Sequence, residues 1–450
     1  MKPITFTHPL AALAGKTRQV GDARSCLRLI LLVLISLVLL PGEARAIVYL
    51  DISSPELRKI NLAVPYFLEK KSPAKIQDSG KKMADLLSRA LDFHGFVSII
   101  DPSRYGGRQE TDWQAQGAEF TVLGEYELRS GEVVMELRLV DIHEGHMILG
   151  RRYRGAFAKH EFMIRKFCDE VVLKLTGESG VSLSKIAFVS NATGFKEIYL
   201  ADALGEEVRQ LTRHEYLAVS PRFSPDGDTL AYTSYHRGNP NLYITNLNQG
   251  KKTLPISRRP GLNMAPDWAP DGKTMAVTLS KDGNPDLYLM DNNGKVLRKL
   301  TSGEGLNVSP SWSPDGKQLA FVSDRSGTPQ IYVMEVKTLK VKRITYLGNE
   351  NTTPSWSPKG DWIAYTGLVN GTHHILLIKP DGGTPVQLTQ AWGDYESPTW
   401  SPDARQIAFT RKRNAEQKVC AIYINGTGLR TLFDLKGEEF SPQWSPRLTM

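Results

Sequence analysis

Ser309-Pro310-Ser311-Trp312-Ser313-Pro314-Asp315-Gly316 is one of six copies of the motif that decides the architecture of this 450-residue chain. The others are Ser220-Pro221-Arg222-Phe223-Ser224-Pro225-Asp226-Gly227, Ala265-Pro266-Asp267-Trp268-Ala269-Pro270-Asp271-Gly272 and Thr353-Pro354-Ser355-Trp356-Ser357-Pro358-Lys359-Gly360. Ser397-Pro398-Thr399-Trp400-Ser401-Pro402-Asp403-Ala404 and the shortened Ser441-Pro442-Gln443-Trp444-Ser445-Pro446 complete the set. Their first prolines step by 45, 44, 44, 44 and 44 residues. A period of about 40–45 residues is that of a four-stranded, WD40-like propeller blade. One such turn is commonplace; six at near-constant spacing are an architecture.

The rest of each period agrees. A β-rich run follows the motif, as in Leu230-Ala231-Tyr232-Thr233 and Leu319-Ala320-Phe321-Val322. A second run follows, as in Leu287-Tyr288-Leu289, and a third ends in Leu-Thr or Ile-Thr, as at Leu300-Thr301 and Ile344-Thr345. Ser-Pro-Asp-Gly suits a type I turn closed by a left-handed residue, and the aromatic residue (Phe223, Trp268, Trp312, Trp356, Trp400, Trp444) suits a wedge between blades. Phe223, Lys359 and Ala404 depart from the repeat, and an alanine at the left-handed position predicts strain. The run at 186–190 has no Trp segment before it, and the last Trp segment has no run after it. Joined, they make one blade, so the sequence predicts six blades closed by the C-terminal strand, which removes exposed sheet edges.

Composition fits this division. Of 26 prolines 19 lie after residue 184, as do 7 of 8 tryptophans. With 41% hydrophobic and 23% charged residues the chain reads as globular, not collagenous, disordered or multi-span. The net charge of +8 points first to a polyanion partner. It is partly a property of the N-terminal segment. Five basic residues precede an uncharged apolar run, Leu29 to Leu40, and Ala44-Arg45-Ala46 follows it. Twelve apolar residues fall short of the ~20 that span a bilayer. The pattern predicts an export signal over residues 1–46, cleaved after Ala46, with no membrane span in the remainder. What remains carries 50 basic and 46 acidic residues, weak support for nucleic acid or any polyanion. Cys168 and Cys420 fall in different segments, so no disulfide framework is expected.

Residues 47–178 lack the repeat. Strands are expected at 59–67, 97–100, 120–128 and 133–142, with amphipathic helices at 78–93 and 160–175, the second closed by Gly177. The expected organisation is an α/β N-terminal domain (47–178), a polar linker (179–184) and an all-β six-bladed β-propeller (185–446).

Candidate chemistry is sparse. There is no Gly-x-Ser-x-Gly elbow, phosphate loop or His-Glu-x-x-His pair. His143 and His146 read as turn residues, His373-His374 as a strand entrance, and Arg411-Lys412-Arg413 as a solvated loop. Neither cofactor nor metal is expected, and no catalytic residue is assigned; a hydrolase or lyase using the central channel is the competing class. The loops entering each innermost strand ring one mouth of the channel and mix apolar, amide and acidic groups, a composition that suits a protein partner.

The signal, the small α/β domain with Ala63-Val64-Pro65-Tyr66-Phe67 and the six Pro-x-Trp-Ser-Pro-Asp-Gly-type units together resemble the TolB family of the Tol–Pal system, over nearly all of residues 47–446. The resemblance implies a monomeric, non-enzymatic periplasmic protein of a Gram-negative bacterium. It implies binding of the lipoprotein Pal through one propeller face and of TolA through the mature N-terminus, with other outer-membrane proteins as further partners. The role implied is outer-membrane integrity and constriction at cell division. By position, the Pal-facing residues are Tyr216, Leu262, Asn263, Met264, Ala265, Leu306, Asn307, Asn349, Asn351, Asp394 and Tyr395. The stretch 262–265 departs from the usual family sequence. The TolA-binding segment would begin Ile47-Val48-Tyr49-Leu50-Asp51-Ile52 and change state when the propeller is occupied.

Overall fold

A computed structural model describes residues 58–71, 77–248 and 253–448. The first domain is one mixed sheet with two helices. Its strands are β1 (Ile60–Ala63), β2 (Leu68–Glu69), β3 (Val97–Ile99), β4 (Phe120–Arg129), β5 (Glu132–Asp141) and β6 (His146–Ala156). They lie in the order β3-β1-β4-β5-β6, with β2 pairing β4. Helix α1 (Asp78–Asp92) buries Met83, Leu86, Leu87, Ala90 and Leu91, a helical spacing. Helix α2 (His160–Thr176) buries Ile164, Phe167, Cys168, Val171 and Val172, and ends at Gly177, whose φ of 78° ends the helix.

The first domain departs from the sequence pattern in two places. The strand expected at 59–67 stops at Ala63; Pro65 has no N–H to give a ladder, and the chain turns so that Tyr66 and Phe67 donate to the Gly107 and Gly80 carbonyls. Strand β6 was not expected. Arg151, Arg152 and Arg154 break its apolar alternation, but Arg152 and Arg154 pair with Glu136 (3.5 Å) and Glu132 (2.9 Å) on β5, and Arg151 bonds Glu170 on α2.

The second domain is the expected ring of six four-stranded sheets. Five blades take four consecutive strands each. The sixth joins Glu439–Trp444 to Lys185–Ser190, Glu197–Asp202 and Val208–Gln210, with Trp444 opposite Ile186. Every innermost strand bulges at the residue before its first proline. Ser220, Ala265, Ser309, Thr353, Ser397 and Ser441 all have φ between 47° and 57°, and the pairing register shifts there. A proline cannot supply a ladder N–H, so the bulge absorbs the missing bond.

The motif aromatic does more than fill space. The indole N–H of Trp268, Trp312 and Trp400 donates to the carbonyl of Arg222, Asp267 and Ser355 on the preceding blade, at 3.3, 3.2 and 2.9 Å. In return the residue between Pro and Trp accepts the next blade's Trp backbone N–H: Asp267 from Trp312 (2.8 Å), Ser311 from Trp356 (3.0 Å), Thr399 from Trp444 (3.1 Å). Within the turns the motif Ser hydroxyl bonds the Asp carboxylate, as Ser313 to Asp315 at 2.7 Å. Where Lys359 replaces that Asp, Ser357 bonds Asp361 instead, at 2.9 Å. Ala404 keeps the turn with φ of 59°, so the expected strain is present and accommodated; its methyl is buried in the core of its blade.

The first domain sits on the end of the ring where these turns lie. The Phe93 carbonyl accepts Gln406 Nε2 (3.2 Å) and the Tyr423 hydroxyl (3.1 Å). Arg165, almost wholly buried, pairs with Asp202 (3.1 Å) and Glu206 (3.0 Å). Residues 179–184, expected as a plain polar linker, are pinned. Val181 N–H donates to His94 Nε2 (3.0 Å), Ser182 N–H to Asp169 (2.8 Å), and Trp444 Nε1 to Ser184 Oγ (2.8 Å).

Candidate functional site: the free mouth of the propeller

With one end of the ring occupied by the first domain, the opposite mouth is the open one among the described residues. Its rim is built by the loops between the outermost strand of one blade and the innermost strand of the next. Tyr216, Leu306 and Asn349 are exposed on it; Leu262 and Asp394 are half-buried there, and Met264 and Ala265 lie half-buried along the innermost strand.

Asn263, Asn307, Asn351 and Tyr395 were expected on the exposed ring and are not there. Each is at most 1% exposed. The amides tie blades together. Asn307 Nδ2 donates to Asp286 Oδ1 (3.0 Å), and Asn351 Nδ2 to Gln330 Oε1 (2.9 Å). The threonines of the repeated Leu/Ile-Thr ending join them: Thr301 Oγ1 donates to Asp286 and Thr345 Oγ1 to Gln330, both at 2.8 Å. The same hydroxyls accept Leu287 and Ile331 N–H, both at 2.9 Å. At the preceding seam the set reads Asn263 with Ser257, at 2.5 Å. Asn263 and Asn307 have both amide hydrogens and the oxygen bonded inside the protein, and Asn351 has both hydrogens bonded, so these amides serve the blade seams. Tyr395 replaces the Asn in its copy, and stacks on His374 with ring centroids 5.8 Å apart.

The residues that do face outward include three not singled out from the sequence. Tyr346, Leu347 and Trp392 are 69%, 62% and 61% exposed, the most exposed large apolar side chains among the described residues. Arg343 lies over the Tyr346 ring (4.8 Å) and Arg413 over Trp392 (5.0 Å). A signal was available: Trp392 is a tryptophan outside the repeat register, where other copies carry Pro260, Glu304 and Gly348, and Tyr346-Leu347 stand where other copies carry Ser302-Gly303 or Arg258-Arg259. His373 lies inward of them among three carboxylates: Asp394 (3.5 Å), Glu350 (3.7 Å) and Glu396 (3.7 Å).

Deeper in the channel, Asp267 and Arg222 pair at 3.7 Å. Enclosure by protein pushes the Asp267 carboxyl up to about 6 and holds the Arg222 guanidinium below its ordinary value. Asp267 also accepts the Trp312 amide, so its lone pairs serve the blade seam. Near the turn end the channel widens into a cavity of about 360 Å³ lined by Trp268, Trp356, Trp400, Gln443 and Arg447, among others. Among the described residues no His, Cys, Asp and Glu side chains are grouped to hold a metal ion. None of their helices is long and apolar enough to cross a membrane. The expected export signal and the segment 47–52 lie outside the described residues.

Six blades closed into a ring and an α/β domain on the turn end define a two-domain β-propeller protein. Residues 172–448 match the TolB beta propeller domain and residues 48–148 the TolB amino-terminal domain. The chain belongs to the TolB family. It is similar to the Tol-Pal system protein TolB of Desulfotalea psychrophila, 46% identical over 235 residues, which is 51% of this chain and 54% of that one. It is also similar to its counterpart in Desulfosudis oleivorans, 40% identical over 236 residues, 50% of this chain and 54% of that one. The chain thus spans about half the length of the curated relatives it matches. The crystal structure of TolB from Acinetobacter baumannii superposes with a TM-score of 0.76 at 25% identity, covering 86% of this chain and 97% of that one.

Proposed function

We propose that this protein is a non-catalytic adaptor of the Tol–Pal envelope system, exported to the periplasm. It binds the lipoprotein Pal at the free mouth and TolA through the segment beginning at Ile47. In that role it couples the inner-membrane complex to the outer membrane during constriction at cell division. The observation that carries this reading is the asymmetry of the ring. One end is closed by the first domain, and the other presents exposed apolar and aromatic side chains of the kind that anchor protein partners. The channel carboxylate best placed for acid–base work, Asp267, is held by the Trp312 amide and Arg222. The two binding events are coupled, so occupation of the mouth changes the state of the N-terminal segment. Deleting residues 47–56 is expected to abolish TolA binding and leave Pal binding intact, measured by calorimetry on the purified proteins. Equal loss of both would defeat the two-site reading.

A further inference from the structure

Around Trp392 the rim is electrostatically lopsided. The nearby acids Glu350, Asp394 and Glu396 are half-buried and gathered on His373. Two of the nearby cations are turned outward. Lys412 and Arg413 are exposed, and among the described residues neither they nor Arg343 and Arg411 form an ion pair. The guanidiniums of Arg343 and Arg413 lie on the two exposed rings; Arg343 Nε is spent on the Thr345 carbonyl (2.6 Å), whereas a stacked arginine such as Arg413 keeps its N–H edge available to an incoming carboxylate. Leu347 adds apolar surface between them in sequence, at 62% exposure. A polyanion would use the cations and gain nothing from a solvent-facing Trp, Tyr and Leu. A protein surface carrying carboxylates around apolar side chains would use both.

We propose that Trp392, Tyr346 and Leu347, framed by Arg413 and Lys412, are the anchoring patch of the mouth, selecting an acidic protein partner. Affinity at the rim is carried by this patch, and the buried amide ring below it is scaffold. The assignment rests on the reading of the mouth as the partner face and adds which residues hold the partner and what chemistry they select. Interfaces concentrate binding energy in a few Trp, Tyr and Arg residues, and rim charges act mainly on association rate.

The test uses the full mature chain with Trp392→Ala, Tyr346→Ala, Arg413→Glu and Lys412→Glu, and Leu173→Ala on the first domain as control. All the replaced side chains are exposed, and thermal melts confirm that each variant is folded. The first probe is the soluble domain of the same organism's Pal, followed by biolayer interferometry. Trp392→Ala is expected to weaken binding by about 30-fold, mostly through faster dissociation. Arg413→Glu is expected to slow association several-fold and flatten its salt dependence. Pal binding unchanged by all four substitutions would overturn the patch and leave the adaptor role standing. Failure of the unsubstituted protein to bind Pal would overturn the adaptor role alone. The patch is then decided by a second probe, a short labelled peptide of alternating glutamate and leucine. Binding of that peptide, weakened by Trp392→Ala and Arg413→Glu, upholds the patch; no binding overturns it. Vesicles of phosphatidylglycerol captured through Arg413 and Lys412 but indifferent to Trp392→Ala would replace it with a polyanion surface.

Discussion

At the turn end of the channel, Lys359 and Arg405 reach across to one carboxylate of the first domain, Glu178, at 2.8 and 3.5 Å. At the mouth, Trp392 and Tyr346 stand largely in solvent, touched on one face by Arg413 and Arg343. Both pairs lie in or beside segments where the repeat departs from its own pattern. Lys359 replaces the turn Asp, Arg405 follows the alanine that replaces the turn Gly, and Trp392 precedes the copy whose Asn is a Tyr. The shared residues build the ring, and the departures mark the surfaces where the ring meets something else. At the turn end the structure contains the partner, which is the first domain. At the mouth, on the proposed reading, the partner comes from outside.

Trp444→Ala removes an aromatic side chain from the seam of the closing blade and its bond to Ser184. A loss of about 3–5 kcal/mol in urea unfolding is expected. A loss below 1 kcal/mol would show that the ring closes without it. Asn307→Ala leaves Asp286 and the Gly305 carbonyl short of a donor. It should cost about 1–3 kcal/mol with the exposed rim unchanged in surface labelling. A loss of rim structure at unchanged stability would make the amide a surface determinant after all.

The turn end should also respond to acid. His94 is fully enclosed, with Nδ1 bonded to the Ala90 carbonyl and Nε2 accepting Val181 N–H. Burial holds it below the ordinary histidine range, against Asp169 and Asp403, which favour its protonation. The unfolded chain binds a proton near pH 6.5, and the native site refuses it until the pH is lower. Stability from this group is therefore complete above that value and lost as pH falls through it, by up to about 1.4 kcal/mol per pH unit. Asp169 is raised by burial and acts in the opposite sense, stabilising more as the pH falls. Comparing His94→Gln with the unsubstituted chain by urea titration between pH 7 and 5 isolates the histidine. Identical pH dependence in the two would discard this account. The smallest effect belongs to Glu178 and Lys359. Both are more than a third exposed, so a double-mutant cycle should return about 0.2–1 kcal/mol.

The ring was legible because its punctuation is covalent. Proline, glycine and tryptophan recur at fixed spacing, and each has one dominant backbone or packing consequence. Closure by the C-terminal strand followed from the two half-units at the ends. The rim was less legible. Asn307 and Asn351 stand at loop-to-strand boundaries, where a polar residue ordinarily faces water. Their partners Asp286 and Gln330 lie 21 residues back on a different strand, a relation that no local pattern displays. Strand β6 was hidden for a related reason: its arginines are neutralised by glutamates on β5 and α2, so its polarity is a paired surface and not a loop.

The closing blade couples the two ends of the chain in time as well as space. Trp444 bonds Ser184 across 260 residues of sequence. During synthesis the first domain can fold early, but the strand Lys185–Ser190 keeps an unpaired edge until Glu439–Trp444 exists. Such an edge is a template for pairing with another chain. A nascent or truncated molecule lacking its last dozen residues would present that edge, so quality control of this protein comes down to whether its final strand has arrived.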